Sequence, residues 1–228
     1  LATYREAFLL GCTAPDLQTI SAQRREETHF FNLPYTDNLL PPWDLLLITY
    51  PHLGDAWSLS SDQAAFLAGY LCHLQADWLW ILEIFLPNFE YEKKWGSYKE
   101  RIFYHDVLRA YADRQVSAQL PKDLGFVLLK AAPNKWLPFA ADKDLYIWRN
   151  VLADQFFPGS YPKTVEVFAT RQKMPPENYY KLLNSEKRMD EVIFTCIPRQ
   201  RLAAFQTLLV SANLRLLSYW FSSPGHNS

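Results

Sequence analysis

The stretch GYLCHLQADWLW, from Gly69 to Trp80, decides the fold. It is apolar almost throughout, yet it carries His73 and Asp77 one helical turn apart. On a wheel of 100° per residue, both lie within about 40° of one line that also carries four large apolar side chains. The four are Phe66, Tyr70, Trp80 and Ile84. A helix that is apolar on nearly every face is buried, so we expect a long central helix whose polar pair points into protein.

The ends of the central helix are marked in the sequence. Ser60 or Ser61 can cap its start, and Pro87 ends it after about Leu86. One face carries a line of small side chains, which would let a neighbouring backbone approach closely. They are Ala65, Gly69, Cys72 and Ala76.

The rest of the chain is also helical in pattern, and no segment alternates with period two. A short helix is predicted over 2–10, and residues 11–60, with five prolines, are predicted to be mostly ordered loop with a helical turn near 42–49. Further helices are predicted at about 97–118, 122–131, 142–155, 162–170, 176–184 and 186–220, the last with a break near Pro198. We therefore expect an all-α, single-domain, multi-helix fold over residues 1–228.

The composition excludes several classes of protein. Hydrophobic residues make up 49% and charged residues 21% of the chain, as in globular proteins. A net charge of -1 does not favour duplex nucleic acid as a partner. The 7 glycines argue against a glycine-rich phosphate loop.

The sequence favours a reducing compartment and no membrane span. Three cysteines without a CxxC spacing fit a cytoplasmic protein, and no basic-then-apolar leader follows Leu1. Residues 64–86 are apolar enough to resemble a transmembrane segment, but their ionisable side chains would be costly in lipid. The sequence leaves open the oligomeric state and whether residues precede Leu1.

The buried polar pair of the central helix needs a partner. An isolated carboxylate there would cost several kcal/mol, comparable to the stability of a whole domain. His73 and Asp77 could pair with each other as an i, i+4 ion pair. Alternatively, both could bind one metal ion, because side chains at this spacing can reach a common point.

Two further residues are candidate metal ligands. Asp16 follows a helix stop in GCTAPDLQ, on a proline-stiffened loop, and His29 stands before two phenylalanines in REETHFF. Each also has a simpler interpretation: Asp16 could cap a following turn, and His29 could be an ordinary core or surface histidine.

Taken together, FLLGCTAPD, ETHFF and FLAGYLCHLQADWLW resemble the zinc-dependent phospholipase C family. That family is similar to the bacterial phosphatidylcholine-cleaving phospholipases C and to the zinc-dependent single-strand nucleases. The resemblance covers residues 6–80. It implies that Asp16, His29, His73 and Asp77 bind one divalent metal, and that Asp77 bridges to a second metal in the trinuclear members.

The sequence departs from the trinuclear pattern in ways that predict a reduced, mononuclear site. The N-terminal Trp and early His of that pattern are missing, and Glu83 stands where a His is expected. HDVLR has Arg109 where a later HxxxE would place a carboxylate. Glu83, His105 and Asp106 remain candidates for additional ligands or for groups that orient a ligand.

Two imidazoles and two carboxylates suit Zn²⁺ first, and also Fe²⁺, Mn²⁺ or Ni²⁺. With a free position, such a site can activate water and polarise a phosphoryl oxygen, and Asp16 or Asp77 could take the proton. With four protein ligands around tetrahedral zinc, the site would instead be structural.

The predicted function is therefore a metal-dependent hydrolase of phosphoric esters, acting on a phosphoester small molecule or a phospholipid. Arg24 and Arg25 could hold the phosphate and His52 could line the pocket, although the arginines also fit a solvated face beside Glu26 and Glu27. The alternative is a non-catalytic, metal-stabilised helical module that binds a partner or small ligand.

Overall fold

The computed structural model describes residues 1–32, 40–90 and 93–222. All regular structure among these residues is helical, which confirms the all-α fold. The chain divides into two compact units. Within the described residues, the first comprises 1–78, 123–158 and 209–222, and the second comprises 79–122 and 159–208. The single domain over 1–228 stays a prediction.

Eleven α-helices form within the described residues, close to the predicted positions after residue 60. They are α1 (Arg5–Gly11), α2 (Arg25–His29), α3 (Pro42–Thr49), α4 (Ser61–Trp80), α5 (Tyr98–Ser117), α6 (Leu124–Leu128), α7 (Asp142–Gln155), α8 (Thr164–Gln172), α9 (Pro176–Leu183), α10 (Glu186–Met189) and α11 (Arg199–Ser222).

The proline-rich segment before α4 is more helical than predicted. Besides α2 and α3, it forms 3₁₀ turns over Ala14–Thr19 and Pro51–Leu53. Prolines stand at the first positions of both turns and of α3, where the missing N–H would have no helical partner anyway. The prolines thus start short helices, which contain too few residues for a periodic apolar pattern to indicate them. The predicted turn near 42–49 is α3.

The predicted end of the central helix before Pro87 is wrong. The α-helical geometry of α4 stops at Trp80, and the chain continues as π-helical turns over Ile81–Glu90, with Pro87 inside them. Proline removes one helical hydrogen bond and crowds the preceding turn. The wider π-helical turn is a geometry in which the chain can continue around such a residue.

Two glycines bring α1 and α4 into backbone contact. A Cβ on Gly69 would collide with the carbonyl oxygen of Phe8 and lie 2.8 Å from the backbone nitrogen of Cys12. From α1, a Cβ on Gly11 would in turn collide with the carbonyl oxygen of Phe66 on α4. The end of α1 therefore packs against the face of α4 that carries small side chains. The sequence predicted that a neighbouring backbone could approach this face closely. This contact positions the loop that follows α1.

Candidate metal centre

The first candidate ligand, His73, is fixed by the chain that follows α1. Its Nδ1 lies 2.8 Å from the carbonyl oxygen of Cys12, so Nδ1 carries the proton and donates it. The other ring nitrogen, Nε2, then presents a lone pair. It is buried and has no hydrogen-bond partner within the part of the chain that the structure describes. A metal-binding histidine is usually held in this way, with its second nitrogen bound to a carbonyl.

His29 is oriented in the same sense by its neighbour Thr28. The Thr28 hydroxyl donates its single proton to the carbonyl oxygen of Arg25 at 3.1 Å, so it accepts from His29 Nδ1 at 3.0 Å. Thr28 is itself held by Tyr70, whose hydroxyl donates to the Thr28 carbonyl oxygen at 2.6 Å. His29 Nε2 is therefore also a lone pair, and it too is buried without a hydrogen-bond partner among the described residues.

Burial keeps the His29 ring neutral. The side chain is 0% exposed, and burial lowers the pKa of His29, with Arg25 acting in the same direction and Asp16 opposing it. Only the neutral ring can donate a lone pair to a metal.

Asp16 lies on the 3₁₀ turn Ala14–Thr19, just after the anchored end of α1. The indole of Trp148 on α7 donates to the carbonyl oxygen of Thr13 at 3.0 Å and holds the start of this turn. The carboxylate of Asp16 lies 3.6 Å from His29 Nε2, and its side chain is 45% exposed. Donor atoms of Asp16, His29 and His73 all lie within 4.8 Å of one another.

Asp77, the fourth predicted ligand, contacts His29 but is not among the three residues whose donor atoms lie within 4.8 Å of one another. Its Oδ2 lies 3.5 Å from His29 Nε2 and 2.5 Å from Nη2 of Arg25. Burial by itself would raise the pKa of Asp77, but the electrostatic effects of His73, Arg25 and His29 together lower it, and Arg25 is the one of these three that carries a permanent charge. Arg25 is thus the direct ion-pair partner of this carboxylate, where the sequence suggested His73 or a metal.

The spacing of these atoms fits one metal ion. Two ligand atoms at about 2.1 Å on a tetrahedral centre lie about 3.4 Å apart. The distances from His29 Nε2 to the oxygens of Asp16 and Asp77 are 3.6 Å and 3.5 Å. These distances are long for hydrogen bonds but close to the spacing of two ligands on one metal. The donor atoms of Asp16, His29 and His73 therefore suit a divalent ion, and Asp77 lies close to one of them, His29 Nε2.

Two of the three predicted substrate-binding residues, Arg24 and His52, lie on the surface. The Arg24 side chain is 71% exposed and pairs with Glu26 and Glu27 at 3.2 Å and 3.5 Å. His52 is exposed on the turn after α3, with its ring 6.5 Å from that of Tyr50.

Glu83, His105 and Asp106 all belong to the second unit. His105 Nε2 accepts a hydrogen bond from the Trp80 indole at 2.8 Å, and its Nδ1 lies 4.0 Å from Asp106. Burial lowers the pKa of His105 well below its ordinary value and raises that of Asp106 to about 6. Among the described residues, the three that can share a metal are Asp16, His29 and His73. The roles of the second-unit residues as ligands or orienting groups stay predictions.

Sequence reasoning missed the groups that orient the ligands. The Cys12 carbonyl is a backbone atom and leaves no side-chain signal. Thr28, directly before His29, was a visible clue, because a hydroxyl next to a histidine can set its tautomer.

A comparison with known protein families gives a match over the part of the chain that contains the candidate ligands. The family model of zinc dependent phospholipase C matches residues 1–80. The resemblance to the zinc-dependent phospholipase C family is confirmed. Asp16, His29, His73 and Asp77 all fall inside the matched stretch, which is about a third of the chain. No curated protein and no solved structure matches the chain. No helix among the described residues is long and apolar enough to cross a membrane.

Proposed function

We propose that the chain is a metal-dependent hydrolase of phosphoric esters with a mononuclear site, and that phospholipid is the first substrate class to test. The observation that carries the proposal is the pair of buried Nε2 lone pairs on His29 and His73, two residues that form with Asp16 a group whose donor atoms lie within 4.8 Å of one another. The match of residues 1–80 to a phospholipase C family supports the substrate class.

Asp16, His29, His73 and Asp77 would hold the metal, with Zn²⁺ as the first choice. When bound, a divalent ion there would lower the pKa of a water molecule and polarise a phosphoryl oxygen. Among the described residues, Cys12 and Cys72 are not part of the group of potential ligands, and burial raises the pKa of each thiol to about 12.

Asp16 is the better candidate for the general base. Its side chain is 45% exposed, so water can reach it, and it can accept the proton of the attacking water at a carboxylate oxygen. Oδ2 of Asp77 faces both Arg25 and His29 Nε2, and it is therefore less available than Asp16, whether the arginine or a metal occupies it. Arg25, beside the proposed ligand Asp77, would bind the phosphate with its guanidinium.

The second candidate function is a metal-stabilised binding module without catalysis. It is favoured by the presence, among the described residues, of a single group of potential ligands, because the trinuclear members implied by the resemblance would need ligands for further metals. Four protein ligands on tetrahedral zinc would leave no place for water.

Metal content and turnover separate the two candidates. Metal is measured by elemental analysis on the purified full chain, and activity is assayed on bis(p-nitrophenyl) phosphate and on phosphatidylcholine vesicles, with and without chelator. A hydrolase gives chelator-sensitive turnover that Asp16→Asn reduces at least a hundredfold; the variant is assayed at saturating Zn²⁺, because Asp16 is also a proposed ligand. One equivalent of metal without turnover on either substrate would contradict the hydrolase and favour the binding module.

A further inference from the structure

Arg25 makes the shortest polar contact of the candidate metal centre. Its Nη2 lies 2.5 Å from Oδ2 of Asp77, and its guanidinium lies 4.7 Å above the ring of Phe31. The same Oδ2 is the atom that faces His29 Nε2 at 3.5 Å. One carboxylate oxygen is therefore shared between the arginine and the point at which a metal would bind.

We propose that Arg25 competes with the metal for Asp77, so that the guanidinium holds this carboxylate in the metal-free protein and is displaced when the metal binds. This inference rests on the proposed metal site. It assigns Arg25 a positioning role in metal loading, which goes beyond holding a phosphate.

The competition follows from the charges. Without a metal, the Asp77 carboxylate, 31% exposed, needs a cation beside it, and Arg25 supplies one. When a divalent ion binds Oδ2, the metal balances the negative charge of the carboxylate. A guanidinium at the same oxygen and the metal ion would then repel each other. Arginine cannot relieve this repulsion by losing its proton, so the side chain has to move.

The docked position of Arg25 is poorly satisfied, which makes displacement feasible. Nη1 is buried and has no hydrogen-bond partner among the described residues, and an unsatisfied buried donor is costly. The Arg25 side chain remains 29% exposed, so the guanidinium has a route to solvent. While Arg25 holds Asp77, fewer protein molecules are ready to bind the metal. The apparent affinity for the metal is therefore weaker.

The chain offers a matched control at the preceding residue. Arg24 carries the same charge but is 71% exposed and pairs with Glu26 and Glu27 rather than with Asp77. The test measures Zn²⁺ binding by isothermal titration calorimetry to the chelator-stripped full chain, for the wild type and three variants. Arg25→Gln should bind Zn²⁺ about tenfold more tightly, Arg25→Lys within about threefold of the wild type, and Arg24→Gln unchanged.

Thermal unfolding in chelator gives a second reading that does not depend on activity. Arg25→Gln should melt below the wild type without metal and gain more from added Zn²⁺, whereas Arg24→Gln should follow the wild type in both conditions. Equal or weaker Zn²⁺ binding by Arg25→Gln overturns the competition and leaves the metal site standing. A wild-type protein that binds no Zn²⁺ overturns the metal site and, with it, this inference.

Discussion

His73 donates a 2.8 Å hydrogen bond from Nδ1 to the backbone carbonyl oxygen of Cys12, which ties the central helix α4 to the end of α1. The bond leaves Nε2 of His73 as a lone pair, and donor atoms of His73, His29 and Asp16 lie within 4.8 Å of one another. One backbone carbonyl thus sets both the tautomer of a ligand and its direction.

Bound metal should stabilise the fold through His29 and His73. With free Zn²⁺ at a hundred times its Kd, the free energy of unfolding should rise by about 2.7 kcal/mol, because the metal binds the folded chain preferentially. Urea unfolding with Zn²⁺ and with chelator measures this difference. His29→Ala and His73→Ala should remove most of the gain, while His52→Ala, at an exposed site, should retain it. An equal gain in His73→Ala would contradict the proposed ligand set.

Thr28 should matter for metal affinity through the orientation of His29. Thr28→Val keeps the shape but removes the acceptor for Nδ1, so Zn²⁺ affinity should fall about 10- to 100-fold. Thr28→Ser restores the hydroxyl and should recover most of the affinity. Calorimetric titration of stripped protein measures both. Equal affinity in the valine and serine variants would show that the hydroxyl has no part in orienting the ring.

Gly69→Ala should destabilise the protein, although alanine is the better helix former by about 1 kcal/mol. The added methyl group would collide with the Phe8 carbonyl and press on Cys12, so we expect a loss of about 3 kcal/mol. Because Cys12 accepts from His73, Zn²⁺ affinity should fall as well. Chemical denaturation in chelator measures the first effect. A stabilising substitution would mean that the two backbones are not in contact.

Asp106 in the second unit should make stability depend on pH. Burial raises its pKa to about 6, so the folded protein prefers the protonated form, and stability is lost as pH rises from about 4 to about 6. Asp106→Asn should therefore be more stable than the wild type by up to about 3 kcal/mol at pH 7 and nearly equal at pH 4. Urea unfolding of both proteins across this range gives the difference. A difference that stays constant with pH would contradict the buried carboxyl.

Periodicity predicted the helical class, and the resemblance to the zinc-dependent phospholipase C family implied that Asp16, His29, His73 and Asp77 share a metal; the structure brings donor atoms of the first three within 4.8 Å of one another. The line of small side chains on α4 predicted that a neighbouring backbone comes close, but it did not say that α1 makes this contact. The π-helical turns around Pro87 were not predicted, because helix periodicity does not say how a chain accommodates a proline.

The sequence did not predict which cation lies on Asp77. Arg25 is 52 residues away along the chain, and its own neighbours Glu26 and Glu27 offered it nearer partners. Only the packing of α2 against the rest of the first unit decides between these carboxylates. A charge run such as RREE therefore has to be resolved residue by residue: Arg24 is solvated, and Arg25 enters the site.

X-ray absorption at the zinc edge of the loaded protein tests the central claim most directly. Two imidazole nitrogens and carboxylate oxygens around one zinc, at about 2.0–2.2 Å, are expected, with one imidazole lost in His73→Ala. A zinc environment without imidazole, or one that is unchanged in His73→Ala, would contradict the account.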